Sequence, residues 1–299
     1  MNKFSLIITT YNEAKSIHTW CHSVLGLEVL PNEIVIVDSL SSDETISIIK
    51  KVFEKSNIDI RIISEKCNIS KGRNIAIKNC SYNNVLITDA GVRLDKYWSK
   101  FLLEKLKYSK VVAGYYKYTG TNPVQKAYSD LFYKRSEDVN NFLPSSRSLA
   151  LKKEVWQSVG GYDERYDIGE DTHFDLLIKE QGYEILFCPE AFVSWDVRDS
   201  FKAVFIQQFK YSMWDGLIKQ NVAGHIKIFV YYMFICIAPF LFDFGWLISF
   251  VLFSVPYIRK VFKDEKRFSY ILYKFILATL CPIVKAIGFS YGFIFKRVA

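Results

Sequence analysis

The sequence predicts an α/β protein in which a mostly parallel β-sheet carries helices on both faces and a helical region follows. Two observations lead to this fold class. Short apolar segments alternate with amphipathic segments over about the first 90 residues, and roughly the last hundred residues are apolar and basic. Strands that are apolar throughout are typical of parallel sheets, because helices cover each face. We therefore divide the chain into a sheet domain at residues 1–200 and a helical region at residues 201–299.

Four apolar segments are predicted to be strands, since each is too short for a buried helix. They are residues 4–10 (FSLIITT), 33–38 (EIVIVD), 59–64 (DIRIIS) and 84–89 (NVLITD). The patterns between them predict helices at about residues 14–25, 42–55 and 71–78. Ligands of such sheets bind beyond the carboxyl ends of the strands, so the residues after each strand are candidates for a site.

From about residue 110 the elements become shorter. VVAGYYKYTG predicts a strand, and NPVQKAYSDLFYKRSE predicts a helix with Pro123 near its start. A strand, a short helix and a Gly-Gly stop follow in FLPSSRSLALKKEVWQSVGGYDE. The segment GEDTHFDLLIKEQGYEILFCPEAFVSWD predicts a helix that ends at Gly182, and then two short strands.

Carboxylates follow three of the predicted strands, at Glu13, Asp38 and Asp89. One carboxylate in such a position is more often a helix N-cap than a ligand, and Asp38 is a candidate cap for a helix that starts near Ser42. Three carboxylates at one edge of a sheet favour a binding site instead. A buried carboxylate must be solvated, paired or bound to a cation.

Several common sites are absent from the sequence. There is no G-x-G-x-x-G after the first strand, no P-loop, no H-E-x-x-H and no G-x-S-x-G. The six cysteines have no paired or zinc-type spacing, which predicts reduced thiols in a cytosolic compartment. The first residues, MNKFSLIITTYNE, do not have the pattern of a signal peptide.

Six segments together resemble the family-two glycosyltransferases of the GT-A fold, a Rossmann-like fold that binds nucleotide sugars. The resemblance covers about residues 3–200 and implies transfer of a sugar from a nucleoside diphosphate to an acceptor hydroxyl with inversion. It rests, in the family's order, on IITTYNEAKSI, EIVIVDSLSSDET, ISKGRNIAI, ITDAG, SSRSLALKKEVWQSVGGYDE and GEDTHFDLLIKEQGYEILFCPEA.

The resemblance implies a nucleoside site at the first two strand ends. Thr10, Tyr11 and Glu13 belong to the loop that meets the nucleoside, with Glu13 near the ribose. Asp38 is expected to bind uracil, because a carboxylate accepts a hydrogen bond from an N–H group of the base. The expected donor is therefore a sugar linked to uridine diphosphate (UDP).

The resemblance also implies roles for residues that follow later strands. Lys71 and Arg73 come after the third strand, where Arg73 is expected to hold the nucleotide or its diphosphate. Arg147 is a candidate for bidentate binding of the diphosphate, with an ordinary salt bridge as the alternative. In the pair Glu170-Asp171, Asp171 is the expected catalytic base, although acidic residues also suit the start of a helix.

A divalent cation, Mg²⁺ or Mn²⁺, is the cofactor that the resemblance implies. Asp89 corresponds to the first carboxylate of the family's metal motif and is the predicted metal ligand. Gly91 stands where the second aspartate is usual, and Trp195 stands where many members have a histidine. In the alternative without a metal, Arg147 clamps the diphosphate.

Residues 201–299 predict attachment to a membrane. They hold 13 lysines and arginines against 4 aspartates and glutamates, which together with the apolar runs suits an anionic lipid surface rather than nucleic acid. Residues 200–221 are expected to form an interfacial amphipathic helix. Residues 228–258 are apolar but interrupted at Pro239, Asp243 and Gly245, which favours a hairpin or two short spans over one straight helix.

The predicted location is the cytoplasmic face of the cell membrane, with the basic residues 259–267 on the side of the catalytic domain. The expected acceptor is a lipid-linked or cell-envelope glycan. The segment 200–221 lacks Gln-x-x-Arg-Trp, which favours addition of one sugar per event. Two alternatives are transfer to polyprenyl phosphate itself, and a catalytically silent protein that binds a glycan or lipid.

Overall fold

The computed structural model describes residues 3–132, 144–246, 249 and 268–295. The chain forms two compact units, of which the first comprises Met1–Tyr118 and Ser136–Asp196 and the second comprises Thr119–Arg135 and Val197–Ala299. The predicted boundary at residue 200 lies close to the second junction. The segment Thr119–Arg135 groups with the C-terminal helices, although it precedes them by more than sixty residues.

The first unit contains the sheet and its covering helices, with β6 running one residue beyond it. Along the chain the elements are β1 (Phe4–Thr10), α1 (Ile17–Leu25), β2 (Glu33–Asp38), α2 (Thr45–Phe53), β3 (Asp59–Ser64), α3 (Ile69–Lys78), β4 (Asn84–Ile87), β5 (Val92–Leu94), α4 (Trp98–Lys105) and β6 (Val111–Thr119). After α5 (Pro123–Phe132), which belongs to the second unit, come β7 (Leu149–Lys152), α6 (Lys153–Ser158), α7 (Glu170–Glu180) and β8 (Ile185–Asp196).

The sheet has eight strands in the order β3-β2-β1-β4-β7-β6-β8-β5. Strands β1 to β4 pair in parallel, whereas β7 pairs antiparallel with β4 and β6, and β5 pairs antiparallel with β8. The register places Thr10 opposite Asp38 and Val92 opposite Trp195. The strand ends that carry the predicted site residues therefore lie at one edge of the sheet.

Two apolar clusters cover the two faces of the sheet. Alternate residues of β1 point to opposite faces, so that Leu6 and Ile8 join one cluster while Ile7 joins the other. Trp20 of α1 lies in the first cluster, and Phe174 of α7 lies in the second. The predicted helices on both faces are thus present. The predicted pair of short strands near the end of the unit is instead the single strand β8.

The second unit consists of α5, α8 (Phe201–Leu217), α9 (Val222–Leu241) and α10 (Phe268–Phe295) among the described residues. Helices α8 and α10 approach closely through glycines: a Cβ atom at Gly216 would overlap the backbone of Phe289, and one at Gly292 would overlap the backbone of Met213. Lys274 of α10 is buried and pairs with Asp130 of α5 at 3.0 Å. Small residues of this kind let helix backbones meet in apolar surroundings.

The observed helix α9 differs from the layout predicted for residues 228–258 in where it begins. The helix begins at Val222 and continues through Pro239 to Leu241, so its 20 residues measure about 30 Å. The chain then reverses, because the hydroxyl of Ser249 donates to the carbonyl of Ile235 at 2.7 Å. The helix therefore begins before the apolar run at residue 228 and ends inside the region predicted to form a hairpin. The return segment and the basic residues 259–267 lie largely outside the described residues.

Two of the described helices, Val222–Leu241 and Tyr270–Phe295, are long and apolar enough to cross a membrane. Most of α9 is exposed, since only 11% of its apolar window is buried. Its exposed large side chains are Ile226, Phe229, Val230, Met233, Phe234, Ile237, Phe240 and Leu241.

Candidate active site

A cavity of about 940 Å³ opens at the carboxyl ends of β1 and β2, a size that suits a nucleotide-sized ligand. The predicted residues Thr10, Tyr11 and Glu13 line it, and Tyr11 is 63% exposed there. The sequence did not predict several other lining residues, which come from the loops before α3 and α7. They include Lys66, Cys67, Asn68 and Asp167.

Hydrogen bonds join the two loops that form one side of this cavity. The backbone N–H of Asn12 donates to the hydroxyl of Ser41 at 2.8 Å, and the backbone N–H of Ser42 donates to the Asn12 side chain at 2.9 Å. Asn12 has a φ of 54°, in the left-handed region that asparagine tolerates better than most residues. The local sequence therefore fixes the loop before any ligand binds.

Asp38 lies buried beneath these loops and accepts three hydrogen bonds. The hydroxyl groups of Thr10 and Ser41 donate to Oδ1 at 2.8 and 2.6 Å, and the backbone N–H of Ser41 donates to Oδ2 at 2.8 Å. A carboxylate offers about four acceptor positions, so Oδ2 retains one. The helix-cap alternative is wrong, since Asp43, not Asp38, accepts from the backbone N–H of Thr45 at the start of α2.

A second cluster of predicted residues centres on Arg73 of α3. Its guanidinium is buried, donates to Oε1 of Glu170 at 2.6 Å and donates to Oδ1 of Asp89 at 2.8 Å. It also lies 5.4 Å from the ring centroid of Tyr162. Arg73 thus joins three segments that are far apart in sequence: α3, the end of β4 and the start of α7.

Burial and ion pairing shift the pKa values of Arg73 and Glu170 in opposite directions. Burial by itself would lower the pKa of Arg73, but Asp89 and Glu170 raise it, so the guanidinium stays charged. Burial raises the pKa of Glu170, the neighbouring Asp171 adds to this, and Arg73 opposes it. Glu170 is therefore the buried partner of Arg73, and it is poorly placed to act as a base in the open site.

Asp171 is more accessible than Glu170 and lies in the first turn of α7. Its Oδ2 accepts a hydrogen bond from the hydroxyl of Ser145 at 3.1 Å, and its Oδ1 accepts one from the backbone N–H of Thr172 at 2.8 Å. The helix begins after Gly169, whose φ of 76° is left-handed. Asp171 thus lies in the first turn of a helix, a position that favours acidic side chains.

Arg147 contacts Asp89 directly and Asp171 through the hydroxyl of Ser145. Its Nε lies 3.6 Å from Oδ2 of Asp89, and its Nη1 donates at 3.0 Å to the Ser145 hydroxyl that also contacts Asp171. The guanidinium lies 4.3 Å from the ring centroid of Trp195. Arg147 therefore forms the salt bridge of the alternative interpretation, with Asp89, and it also contacts a hydroxyl and an aromatic face.

Lys71 does not join this cluster. It pairs with Glu65 at 2.7 Å, and both side chains are more than 40% exposed. His173, two residues beyond Asp171, stacks on Tyr166 with ring centroids 4.5 Å apart. It therefore packs against the loop before α7.

Asp89 is the predicted metal ligand, and its two oxygens contact arginines, with Oδ1 2.8 Å from Arg73 and Oδ2 3.6 Å from Arg147. Among the described residues no group of three or more His, Cys, Asp or Glu side chains is arranged to hold a metal ion. Gly91 leaves space, because an added Cβ would meet nothing within 4 Å and the backbone φ is not left-handed. A cation would need its other oxygens from the donor diphosphate and water.

Sequence reasoning missed Asp175, one helical turn beyond Asp171. Its side chain is 1% exposed, and its Oδ2 has no hydrogen-bond partner. Burial raises the pKa of Asp175 well above its usual range, and the nearby Asp171 adds to this effect. The spacing of four residues on one helix was the signal that could have identified it.

Two family models and several known proteins match parts of this chain. The family model for glycosyl transferase family 2 matches residues 5–159, and the model for glycosyl transferase family group 2 matches residues 129–290. The poly-beta-1,6-N-acetyl-D-glucosamine synthase of Staphylococcus epidermidis is 28% identical over 205 residues. That alignment covers 62% of this chain and 48% of the synthase, so the chain spans about half the length of this curated relative.

Two solved structures have a similar fold. The mannosyltransferase PcManGT from Pyrobaculum calidifontis, in complex with GDP-Man and Mn²⁺, has a TM-score of 0.65 and 17% identity, and the match covers 97% of this chain and 87% of that chain. Residues 1–349 of TarS from S. aureus, in complex with UDP, give a TM-score of 0.51 and 18% identity, covering 97% and 89%. These neighbours confirm the predicted GT-A fold class.

Proposed function

The chain belongs to glycosyl transferase family 2, and from this premise we propose that it moves a sugar from a nucleoside-diphosphate sugar to a hydroxyl group of a cell-envelope glycan. The observation that carries the proposal is the position of Asp171. This accessible carboxylate lies beside the Arg73, Asp89 and Arg147 cluster and is bound to Ser145, which Arg147 also contacts.

In the proposed reaction Asp171 accepts the proton of the acceptor hydroxyl, and the hydroxyl oxygen attacks the anomeric carbon of the donor sugar. The bond from that carbon to the diphosphate breaks as the new glycosidic bond forms. The nucleoside diphosphate leaves with the electron pair of the broken bond. A single displacement of this kind inverts the anomeric configuration.

UDP is the proposed nucleotide. The cavity beside Thr10, Tyr11 and Glu13 has room for a nucleoside, and Asp38 retains one acceptor position that suits the single N–H group of uracil. The TarS structure carries UDP and the mannosyltransferase structure carries GDP-Man, so the choice between the two nucleotides rests on Asp38. Guanine offers several N–H donors, so the same carboxylate oxygen would leave some of them without an acceptor.

A divalent cation has one role in this proposal, to neutralise the leaving diphosphate. Asp89 would supply one oxygen ligand. We expect the cation to bind only together with the nucleotide, because the part of the chain that the structure describes offers too few ligands by itself. The Mn²⁺ in the mannosyltransferase structure is consistent with this role.

We propose that the second unit attaches the enzyme to the cytoplasmic face of the membrane, where a lipid-linked acceptor would lie. The exposed apolar surface of α9 and the length of α10 support attachment to a membrane. The excess of basic residues in 201–299 adds attraction to anionic lipid.

The test is the variant Asp171→Asn, which keeps the size of the side chain but removes its basicity. We expect turnover of a UDP-sugar to fall by about 10²- to 10⁴-fold while UDP binding, measured by calorimetry, stays unchanged. Glu180→Gln, at the exposed far end of α7, is the matched control. Near-full activity of Asp171→Asn would show that the base is misassigned. Wild-type protein that binds UDP but never turns over a UDP-sugar would support the silent alternative.

A further inference from the structure

The indole ring of Trp195 contacts the positively charged guanidinium of Arg147. The sheet register places Trp195 of β8 opposite Val92, one residue after Gly91, and so brings its indole beside the turn that carries Asp89. The Arg147 guanidinium lies over this ring at 4.3 Å, while Oδ2 of Asp89 and the Ser145 hydroxyl contact the same guanidinium. Three different groups therefore fix the position of one positive charge.

We propose that Trp195 is a positioning residue that fixes Arg147 for binding the diphosphate of the donor, an inference that rests on the proposed function. Arginine binds phosphate oxygens through a planar fork, so its orientation decides how well it binds. An aromatic face favours a parallel or near-parallel guanidinium, and tryptophan is the best aromatic partner for a cation. Trp195 thereby reduces the entropy lost when Arg147 binds the phosphates.

The other arginine of the cluster cannot take this role. Arg73 is 2% exposed and donates to both Glu170 and Asp89, so its charge is compensated within the protein. The Arg147 side chain is about ten times as exposed, at 21%, and its distance to Asp89, 3.6 Å, is longer than the 2.8 Å of Arg73. Arg147 is thus the guanidinium that an entering diphosphate can reach.

The Trp195 ring packs in turn against tyrosine rings of β6. The Tyr118 ring centroid lies 5.6 Å from that of Trp195, and Tyr116 lies 5.6 Å from Tyr118. Tyr116 and Trp195 both pack against the first core cluster. The platform beneath Arg147 is therefore anchored in the core of the sheet and does not depend on a surface loop.

The experiment compares UDP with uridine, which lacks the phosphates, by calorimetry in EDTA. We expect Trp195→Leu to weaken UDP binding by roughly 2- to 12-fold, the range for ordering one flexible side chain on binding, and to leave uridine binding unchanged. Trp195→Phe should recover most of the loss. Arg147→Gln should weaken UDP binding at least as much, and adding Trp195→Leu to it should cause no further loss.

Phe192→Leu is the matched control. Phe192 lies on β8 like Trp195, and its ring also lies under a cation, Lys117 of β6. UDP affinity of Trp195→Leu equal to that of wild type, or equal losses for UDP and uridine, would overturn the inference. Wild-type protein that binds UDP neither in EDTA nor with added Mn²⁺ would overturn the proposed donor as well. Wild-type binding with an unaffected Trp195→Leu variant would overturn the role of Trp195 alone.

Discussion

Replacing Arg73 with methionine should destabilise the protein strongly. The variant Arg73→Met keeps most of the side-chain length but removes the charge and the donors. Two charge-assisted hydrogen bonds are lost, to Glu170 at 2.6 Å and to Asp89 at 2.8 Å. Each is worth about 1.5–3 kcal/mol, and breaking a buried ion pair typically costs about 3–5 kcal/mol. The two ranges overlap, so we expect a loss of about 3–5 kcal/mol.

The assay is thermal unfolding of the 299-residue chain in detergent, monitored by tryptophan fluorescence. For a domain of this size each kcal/mol lowers Tm by roughly 2–4 °C, so the predicted fall is about 6–20 °C. Lys71→Gln is the matched control on the same helix. Its ion pair with Glu65 is exposed, and exposed pairs contribute little, so its Tm should match that of wild type.

The double variant Arg73→Met/Glu170→Gln tests the cause of the loss. Removing the Glu170 charge should restore part of the stability, because the carboxylate no longer lies buried without its counter-ion. Equal falls in Tm for Arg73→Met and Lys71→Gln would refute the reasoning. Strict additivity in the double variant would show that Arg73 and Glu170 do not act as a pair.

Three further predictions follow from single residues. Burial raises the pKa of Asp175 in the folded state, so the protein loses stability as pH rises above the ordinary pKa of an aspartate. Asp175→Asn should therefore have a higher Tm than wild type at pH 8, an advantage that shrinks toward pH 4. Parallel profiles of Tm against pH for the two proteins would contradict this. Gly91→Asp should fold normally, because its Cβ has space, and should strengthen Mn²⁺ binding beside Asp89, measured by calorimetry without nucleotide; unchanged Mn²⁺ affinity would mean that position 91 faces away from the site. Cysteines at Asp243 and Lys219, on a background without native cysteines, should react with an impermeant thiol reagent from opposite sides of the membrane, because about 30 Å of α9 lies between them; labelling from one side only would mean that α9 dips without crossing.

Local patterns were sufficient to predict the sheet and the residues at its strand ends. Apolar runs identified β1 to β4, and the common edge of parallel strands brought Thr10 and Asp38 together as expected. The contact between Arg73 and Glu170 joins residues 97 positions apart, and no spacing in the sequence encodes such a pairing. The sequence likewise showed tryptophan at position 195 without indicating that Arg147 lies over its ring.

The C-terminal layout was harder to predict, for physical reasons. The first two turns of α9 contain Gly224, His225 and Lys227, whose polarity or flexibility concealed the true start of the helix at Val222. Pro239 suggested a break but lies in the last turn of the helix, where few backbone bonds remain to be lost. The grouping of α5 with the later helices depends on long-range contacts such as Lys274 with Asp130.

The glycines between α8 and α10 restrict the route by which a lipid could enter. Gly216, Gly288 and Gly292 leave the two backbones so close that not even a methyl group would fit at these positions. An isoprenoid or acyl chain is wider than a methyl group and therefore cannot pass between these helices while they stay packed. If the acceptor is lipid-linked, its tail must remain outside this pair, along other faces of the helical unit, and only its head group would need to leave the bilayer.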